Sequence, residues 1–544
     1  MDVDTDLEQL MGHLGEFGRY QARQFVLHIV AAMTAGLHML TLVTVAAVPE
    51  HRCFLEGVDD GNETVPWSSG EVLAAIPRTS KGVLDSCHLL DFTNNSVSCS
   101  QWVYDGTYYQ SSKAIEWNFV CSRRWMGAVA QSSYMFGVFT GAVVLGSLAD
   151  KYGRKTIFYL SAVLQLILGV GVAFVPEFYS FLVVRFLYGV FGSAGSYITG
   201  FVLTMELVGP SKRTVCGITF QALFAVGVML VAFWGYLIKD STVLQVVYGL
   251  HGLLLIGHWW LIDESPRWLW AQGRVHEAVQ IVQRAAKING KGAMVDVAHF
   301  VSRGKATATT RSDRTYSVLD MFRTPNLRSR TLNVCLNWFA NSLVYYGLSL
   351  NTGKMAGNPF LILFVMGLVE IPSYALTVAL MDRTGRRSLI SVFMLLGGIA
   401  CIASAYIPQD TDAGSIASTT VAMLGKFFIA GSFAIVYNYT AELFPTVVRN
   451  TALGVGSMCA RLSGALTPLI TLLDSFDRTL PSVIFASIAV LSGLLSLILP
   501  ETLNKGMPQT LQDGEDFGRG DTACASCYNK RSHQNYDVPL RNRE

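Results

Sequence analysis

Apolar residues in this chain run on for about twenty positions at a time, the length needed to cross a hydrocarbon layer roughly 30 Å thick. Twelve such runs stand out: Phe25 to Ala47, Met126 to Ala149, Thr156 to Pro176, Phe178 to Val208, Thr214 to Ile238, Val243 to Ile262, Thr331 to Leu350, Pro359 to Met381, Ser388 to Ile407, Ser418 to Leu443, Thr451 to Leu473 and Leu480 to Leu499. Each predicts a membrane-spanning helix, and an even count puts both termini on one side. Gly137, Gly141 and Gly146 recur at helical spacing in the second run, where small residues let backbones approach, so the helices are expected to pack as a bundle. The polar stretches divide the chain. They give an N-terminal stretch at 1–24, a six-helix bundle at 25–262 with a large loop at 48–125, a linker at 263–330, a second bundle at 331–500 and a tail at 501–544. The linker has helical patterning from Ser265 to Ile288. The tail, rich in Gly, Asp and Asn without apolar period, reads as disordered.

Only 15% of the 544 residues are charged, against about 25% in soluble domains, which argues against a soluble enzyme. A net charge of +2 gives no reason to expect nucleic acid as a partner. The position of charge says more. Lys151, Arg154 and Lys155, then Lys212 and Arg213, then Arg383, Arg386 and Arg387 all fall in links on one face of the bundle. On that same face the linker holds 12 basic residues against 6 acidic, whereas Pro49 to Trp125 holds 10 acidic against 6 basic. Because basic residues stay cytoplasmic, both termini are expected in the cytosol and the large loop outside. The chain begins Asp2, Asp4, Asp6, Glu8 without a basic region, so the first run reads as an internal start to insertion, not a cleaved signal.

The loop carries Cys53, Cys87, Cys99 and Cys121, enough for two disulfides in any of three pairings. It also carries two glycosylation sequons, at Asn62 and Asn94, which make sense on a lumenal segment.

The chain also repeats itself. Gly146-Ser-Leu-Ala-Asp150-Lys-Tyr-Gly153-Arg154-Lys155 is echoed six runs later by Leu380-Met-Asp382-Arg-Thr-Gly385-Arg386-Arg387. Glu206 with Arg213 is echoed by Glu442 with Arg449, and the two echoes lie 232 and 236 residues apart. A duplicated six-helix unit follows, a plan that places a solute site between parallel halves near mid-membrane. The echoed charges Asp150, Arg154, Glu206, Arg213, Asp382, Arg386, Glu442 and Arg449 are candidates for gating, through ion pairs that hold the cytoplasmic side shut.

At these residues the sequence resembles the major facilitator superfamily, whose hallmark is the Gly-x-Leu-x-Asp-x-x-Gly-Arg-Lys link. It is more specifically similar to the organic cation, anion and carnitine carriers. That likeness rests on Gly15-Glu16-Phe17-Gly18-Arg19-Tyr20-Gln21, the cysteine-bearing loop, Glu264-Ser265-Pro266-Arg267-Trp268-Leu269, Tyr345-Tyr346-Gly347-Leu348, Ala441-Glu442-Leu443-Phe444-Pro445-Thr446 and Pro500-Glu501-Thr502. The departure is Asp263, where the family usually has proline. The resemblance implies an all-α membrane protein of twelve transmembrane helices in two six-helix pseudo-repeats.

Charges within a bilayer are costly and therefore informative. Glu370 and Arg461 fall near mid-depth, where they either neutralise each other or present opposite charges to a central cavity. Arg185 and Lys426 read as part of a cytoplasmic-half polar network, or as snorkelling side chains. In the resembling family, arginine at the Arg461 position is typical of anion and carnitine carriers. The Glu-x-Pro of Glu370-Ile371-Pro372 is typical of cation and carnitine carriers. Having both implies a zwitterion carrier, with Arg461 on the substrate carboxylate and Glu370 or aromatics on the ammonium. Tyr345, Tyr346, Tyr437, Phe224 and Gln221 are the expected lining. No phosphate loop or metal-ligand cluster occurs, so no cofactor, metal or nucleotide hydrolysis is expected. Enzymatic activity has no supporting constellation. A coupling ion, sodium or proton, is not legible. Hexose transport lacks its paired glutamines in span seven, and a non-transporting glycosylated receptor has no reason to keep mid-span charges.

Overall fold

The computed structural model describes residues 5–59, 65–78, 84–91, 95–257, 259–290, 299–300, 318–351, 355, 357–409, 411–445, 447–508, 510–518 and 521. Lipid offers backbone groups no hydrogen-bond partners, so the apolar runs fold as helices that satisfy their own. The long segments are α1 (Arg19–Met39), α2 (Trp125–Tyr152), α3 (Arg154–Gly171), α4 (Phe178–Leu207), α5 (Pro210–Leu237), α6 (Ser241–Ile256), α7 (Pro325–Leu350), α8 (Pro359–Thr384), α9 (Arg386–Tyr406), α10 (Asp412–Leu443), α11 (Arg449–Thr471) and α12 (Leu480–Ser496). Among the described residues, nine helices, α1 to α5 and α8 to α11, are long and apolar enough to cross a membrane, while α6 and α12 are shorter. The seventh has the length, but its inner face is polar: Asn337 and Asn341 donate to carbonyls one turn back, and Ser492 and Ser496 of α12 donate to Asn337 at 2.9 and 2.8 Å.

Prolines open α5, α7 and α8, where a missing N–H costs nothing. Asn358, Asp240 and Thr411 cap the amides at the starts of α8, α6 and α10. Helices extend beyond the purely apolar runs, α1 starting at Arg19 and α7 at Pro325.

The packing repeats as the sequence does. In the first lobe α1 packs on α5, α2 on α4 and α3 on α6; in the second α7 packs on α11, α8 on α10 and α9 on α12. Each pair becomes the other on moving six helices along. The lobes meet where α2 crosses α11 and where α5 crosses α8, and these contacts also exchange under that shift. Small residues permit the closeness: a Cβ added at Gly36 would run into the Phe224 carbonyl, and one at Gly137 into the Phe186 carbonyl.

The loop after α1 departs from an all-helical chain. Strands β1 (His51–Cys53) and β4 (Trp102–Tyr104) pair antiparallel, as do β2 (His88–Leu90) and β3 (Ser96–Ser98). Of the three pairings open from sequence, the disulfides are Cys53–Cys99 and Cys87–Cys121, with Cα atoms 5.7 and 5.6 Å apart. Asn62 and Asn94 lie outside the described residues.

Beneath the first lobe, the linker helices Pro266–Ala271 and Val275–Ile288 bury Trp268, Ala278 and Val282. The second of them packs against α1 and the N-terminal helix Thr5–Gly12. The tail corrects the expectation of disorder in part. Leu511–Asp516 is a helix whose Glu515 accepts the Asn326 and Leu327 amides in the first turn of α7, at 3.1 and 3.0 Å. Free amides at a helix start favour a carboxylate there, which no apolar-period reading detects.

Candidate functional site

Between the lobes lies a cavity of about 780 Å³, its mouth included, lined from α1, α2, α4 and α5 on one side and α7, α8, α10 and α11 on the other. These two sets exchange under the six-helix shift, so the cavity sits on the pseudo-symmetry axis.

Arg461 of α11 faces it. Its guanidinium donates to the Ser457 carbonyl at 3.0 Å and to the Ser457 hydroxyl, one turn back. Among the described residues no carboxylate forms an ion pair with it, so its charge meets the cavity uncompensated. Tyr345, Tyr346, Tyr437, Phe224 and Gln221 line the cavity too. The rings form a continuous wall: Tyr345 is 5.2 Å from Tyr346 and 6.0 Å from Phe433, which is 5.8 Å from Tyr437. Opposite, Tyr197 stands 6.3 Å from Phe224. Gln221 Oε1 is buried without a hydrogen-bond partner among the described residues, an acceptor open to a ligand donor.

Glu370 corrects the expectation that it faces the cavity. It is fully buried behind the tyrosines, with Oε1 3.1 Å from Lys426 Nζ. Tyr345 and Tyr374 donate to its two oxygens at 2.8 and 2.9 Å. It therefore neither meets solute directly nor neutralises Arg461. Lys426 is likewise corrected. It does not snorkel but lies 1% exposed, donating also to Ser349 at 2.6 Å. Arg185, equally buried, donates to Thr41 and Gln131 and stacks 4.8 Å over Tyr134. Both lie toward the disulfide-bonded side of their helices, not with the Gly153 and Gly385 turns. The half of the membrane that Arg185 and Lys426 occupy is thus opposite to the one expected from sequence, and the face that Glu370 presents was not legible there either.

The gating candidates divide. Arg154 donates to Glu206 at 3.1 Å and pairs with Asp150 at 3.0 Å. Arg386 donates to Glu442 at 3.0 Å and pairs with Asp382 at 3.1 Å. These links run inside each lobe, where Arg154 at the start of α3 joins α2 to α4 and Arg386 at the start of α9 joins α8 to α10. Arg213 donates to the Val208 carbonyl at 3.3 Å. Two Arg449 guanidinium nitrogens are buried without hydrogen-bond partners among the described residues.

Residues missed by the sequence reading include Ser193 and Tyr197, in and beside the π-helical turn Val190–Ser196 of α4, and Tyr374 and Phe433. Glu264 and Glu501 have a role that their motifs alone do not reveal. Glu264 accepts the Lys155 amide at the start of α3, and Glu501 the Arg386 and Arg387 amides at the start of α9. Their separation of 237 residues, close to the other echoes, was the available signal.

The profile of the Sugar (and other) transporter family matches residues 89–510. An "Organic cation transporter protein" of Drosophila melanogaster is 38% identical, covering 94% of this chain and 95% of its own length. The "Organic cation/carnitine transporter 2" of Homo sapiens is 32% identical, covering 93% of each. Among solved structures, the xylose transporter XylE from E. coli in an inward open conformation superposes with a TM-score of 0.58 at 16% identity, over 91% of this chain and 99% of that one. This last likeness establishes the fold alone.

Proposed function

Because the chain belongs to the major facilitator superfamily, among the organic-ion transporters of solute carrier family 22, we propose that it carries small organic ions bearing a carboxylate, zwitterions of the carnitine type first. The proposed route is alternating access across the plasma membrane, through twelve spanning helices with both termini cytosolic. That it is a membrane transporter and not an enzyme follows from its relatives. The single observation carrying the finer reading is the uncompensated Arg461 guanidinium in the cavity between the lobes.

A substrate carboxylate supplies the missing counter-charge, and the planar guanidinium can hold it with two hydrogen bonds. Gln221 Oε1 takes a donor on the substrate. The tyrosine wall receives an ammonium on its ring faces, and Tyr345 and Tyr374 are polarised by donating to Glu370. A bare organic cation instead meets an unbalanced like charge. A second reading, transport of simple organic anions, is favoured by the Glu370–Lys426 pair, which leaves Arg461 as the net charge beside the cavity. Movement follows from the two inter-lobe contacts, which form a pivot around the cavity, while the Arg154 and Arg386 networks keep each lobe rigid.

Side-by-side uptake of labelled carnitine, para-aminohippurate and tetraethylammonium tests the proposal. Carnitine uptake supports the first reading and para-aminohippurate alone the second; uptake of tetraethylammonium alone rejects both. Voltage dependence then reports whether a coupling ion, sodium or proton, moves with the solute. A net charge moving through the membrane is worth about 2.3 kcal/mol per 100 mV, whereas a zwitterion without a companion ion feels none.

A further inference from the structure

We infer that the lobes are held together on the side of the disulfide-bonded loop by a two-flank gate, Arg124 with Asp474 on one flank and Phe360 with Tyr109 and Tyr236 on the other. This inference rests on the alternating-access reading above.

Arg124 immediately precedes α2, and Asp474 follows α11. Their Nη2 and Oδ1 atoms are 2.7 Å apart, with the carboxylate side chain only 13% exposed. Among the described residues this is the one ion pair that joins the first lobe to the second. Deeper along the same seam the Ser132 hydroxyl donates to the Ala465 carbonyl at 2.8 Å.

Moving six helices along converts the α2–α11 seam into the α8–α5 seam, where charge is replaced by aromatic contact. Phe360, in the first turn of α8, lies 6.4 Å from Tyr236 of α5 and 5.3 Å from Tyr109 of the disulfide-bonded loop. The loop is fixed there because the Gln110 amide donates to the Lys239 carbonyl at 3.1 Å and the Ser111 hydroxyl to Asp240 at 2.9 Å. Gly235 makes room for the ring, since a Cβ there would press on Phe360. The disulfide-bonded loop is thus part of the closure.

At the opposite end no described ion pair crosses the lobes, the Arg154 and Arg386 pairs staying inside their own lobe. Attraction on the loop side, with no described ion pair to match it at the other end, biases the free carrier toward closure at the loop side.

The test uses the full-length protein in intact cells, with Val138→Cys as a cavity reporter and a membrane-impermeant methanethiosulfonate applied from outside. The same protein without the reporter sets the background. Arg124→Ala, the milder Arg124→Gln and Asp474→Ala are each expected to speed labelling about two- to fivefold, the range for a partly exposed pair. The reversed pair, Arg124→Asp with Asp474→Arg, returns the rate to that of the parent, and Phe360→Ala speeds it again. Unchanged labelling in the surface-expressed single variants, or a reversed pair as fast as they are, overturns the gate. Labelling that responds in a protein taking up no organic ion upholds the gate and defeats the transport reading; uptake with unresponsive labelling does the opposite.

Discussion

Lys426 places its ammonium 3.1 Å from the Glu370 carboxylate and 3.0 Å from the centre of the Tyr345 ring, so one buried cation joins α10 both to α8 and to the wall of the cavity. Removing one member of such a pair leaves the other charge stranded. Glu370→Gln or Lys426→Met alone should therefore cost about 3 kcal/mol or more of stability, and the double variant less than the sum. Thermal unfolding of the purified protein checks this. Strict additivity would mean that the two residues are not coupled.

The intralobe networks predict unequal effects from residues that look equivalent in sequence. Asp150 and Asp382 are 74% and 76% exposed, whereas the arginines they meet are 13% and 11% exposed. Asp150→Asn and Asp382→Asn should change transport rate by a factor of about two or less. Glu206→Gln and Glu442→Gln remove the more enclosed partners and should slow it about tenfold, the scale of a charge-assisted hydrogen bond. Initial uptake rates, normalised to surface protein, decide.

Gly153 and Gly385 hold φ of +105° and +87°, and a Cβ at either would press on the carboxylate that caps the following helix, Glu264 or Glu501. Alanine at either position should cost about 1–2 kcal/mol and impair transport. Gly146→Ala is the control, because nothing lies within 4 Å of an added Cβ there. Equal loss in all three variants would show that helix glycines in general, not these turns, matter.

In the loop, Arg52 donates to both Asp59 oxygens at 2.7 and 2.6 Å, which holds the carboxyl below its ordinary range. A depressed carboxylate stabilises the fold above its unfolded pKa of about 4, and that stability is lost as pH falls through the folded value. Protease protection of the loop should therefore be full at neutral pH and fail in strong acid, and Asp59→Asn should weaken it at neutral pH already. Protection that ignores both acid and the substitution would rule the pair out as a determinant.

The sequence and the structure agree where the controlling physics is local or periodic. Apolar run length marked α1 to α5 and α8 to α11, and the echo of Asp150 to Lys155 in Asp382 to Arg387 showed a duplication that the packing repeats pair by pair. What was not legible depends on helix rotation. Glu370 and Arg461 sit at similar depth, but one points back toward Lys426 and the other into the cavity, and periodicity is too weak in helices apolar all round to tell these apart. Glu515 was missed for another reason: its partners are backbone amides 189 and 188 residues away, which leave no composition signal.

Charge reversal at Arg461 tests the central claim most directly. Uptake of labelled carnitine, para-aminohippurate and tetraethylammonium is measured in the parent, Arg461→Lys and Arg461→Asp, each normalised to surface protein. The guanidinium reading predicts that Arg461→Lys retains weakened carboxylate uptake, and that Arg461→Asp loses it by about tenfold or more while tolerating the bare cation better than the parent does. Carboxylate uptake that survives Arg461→Asp undiminished would contradict it.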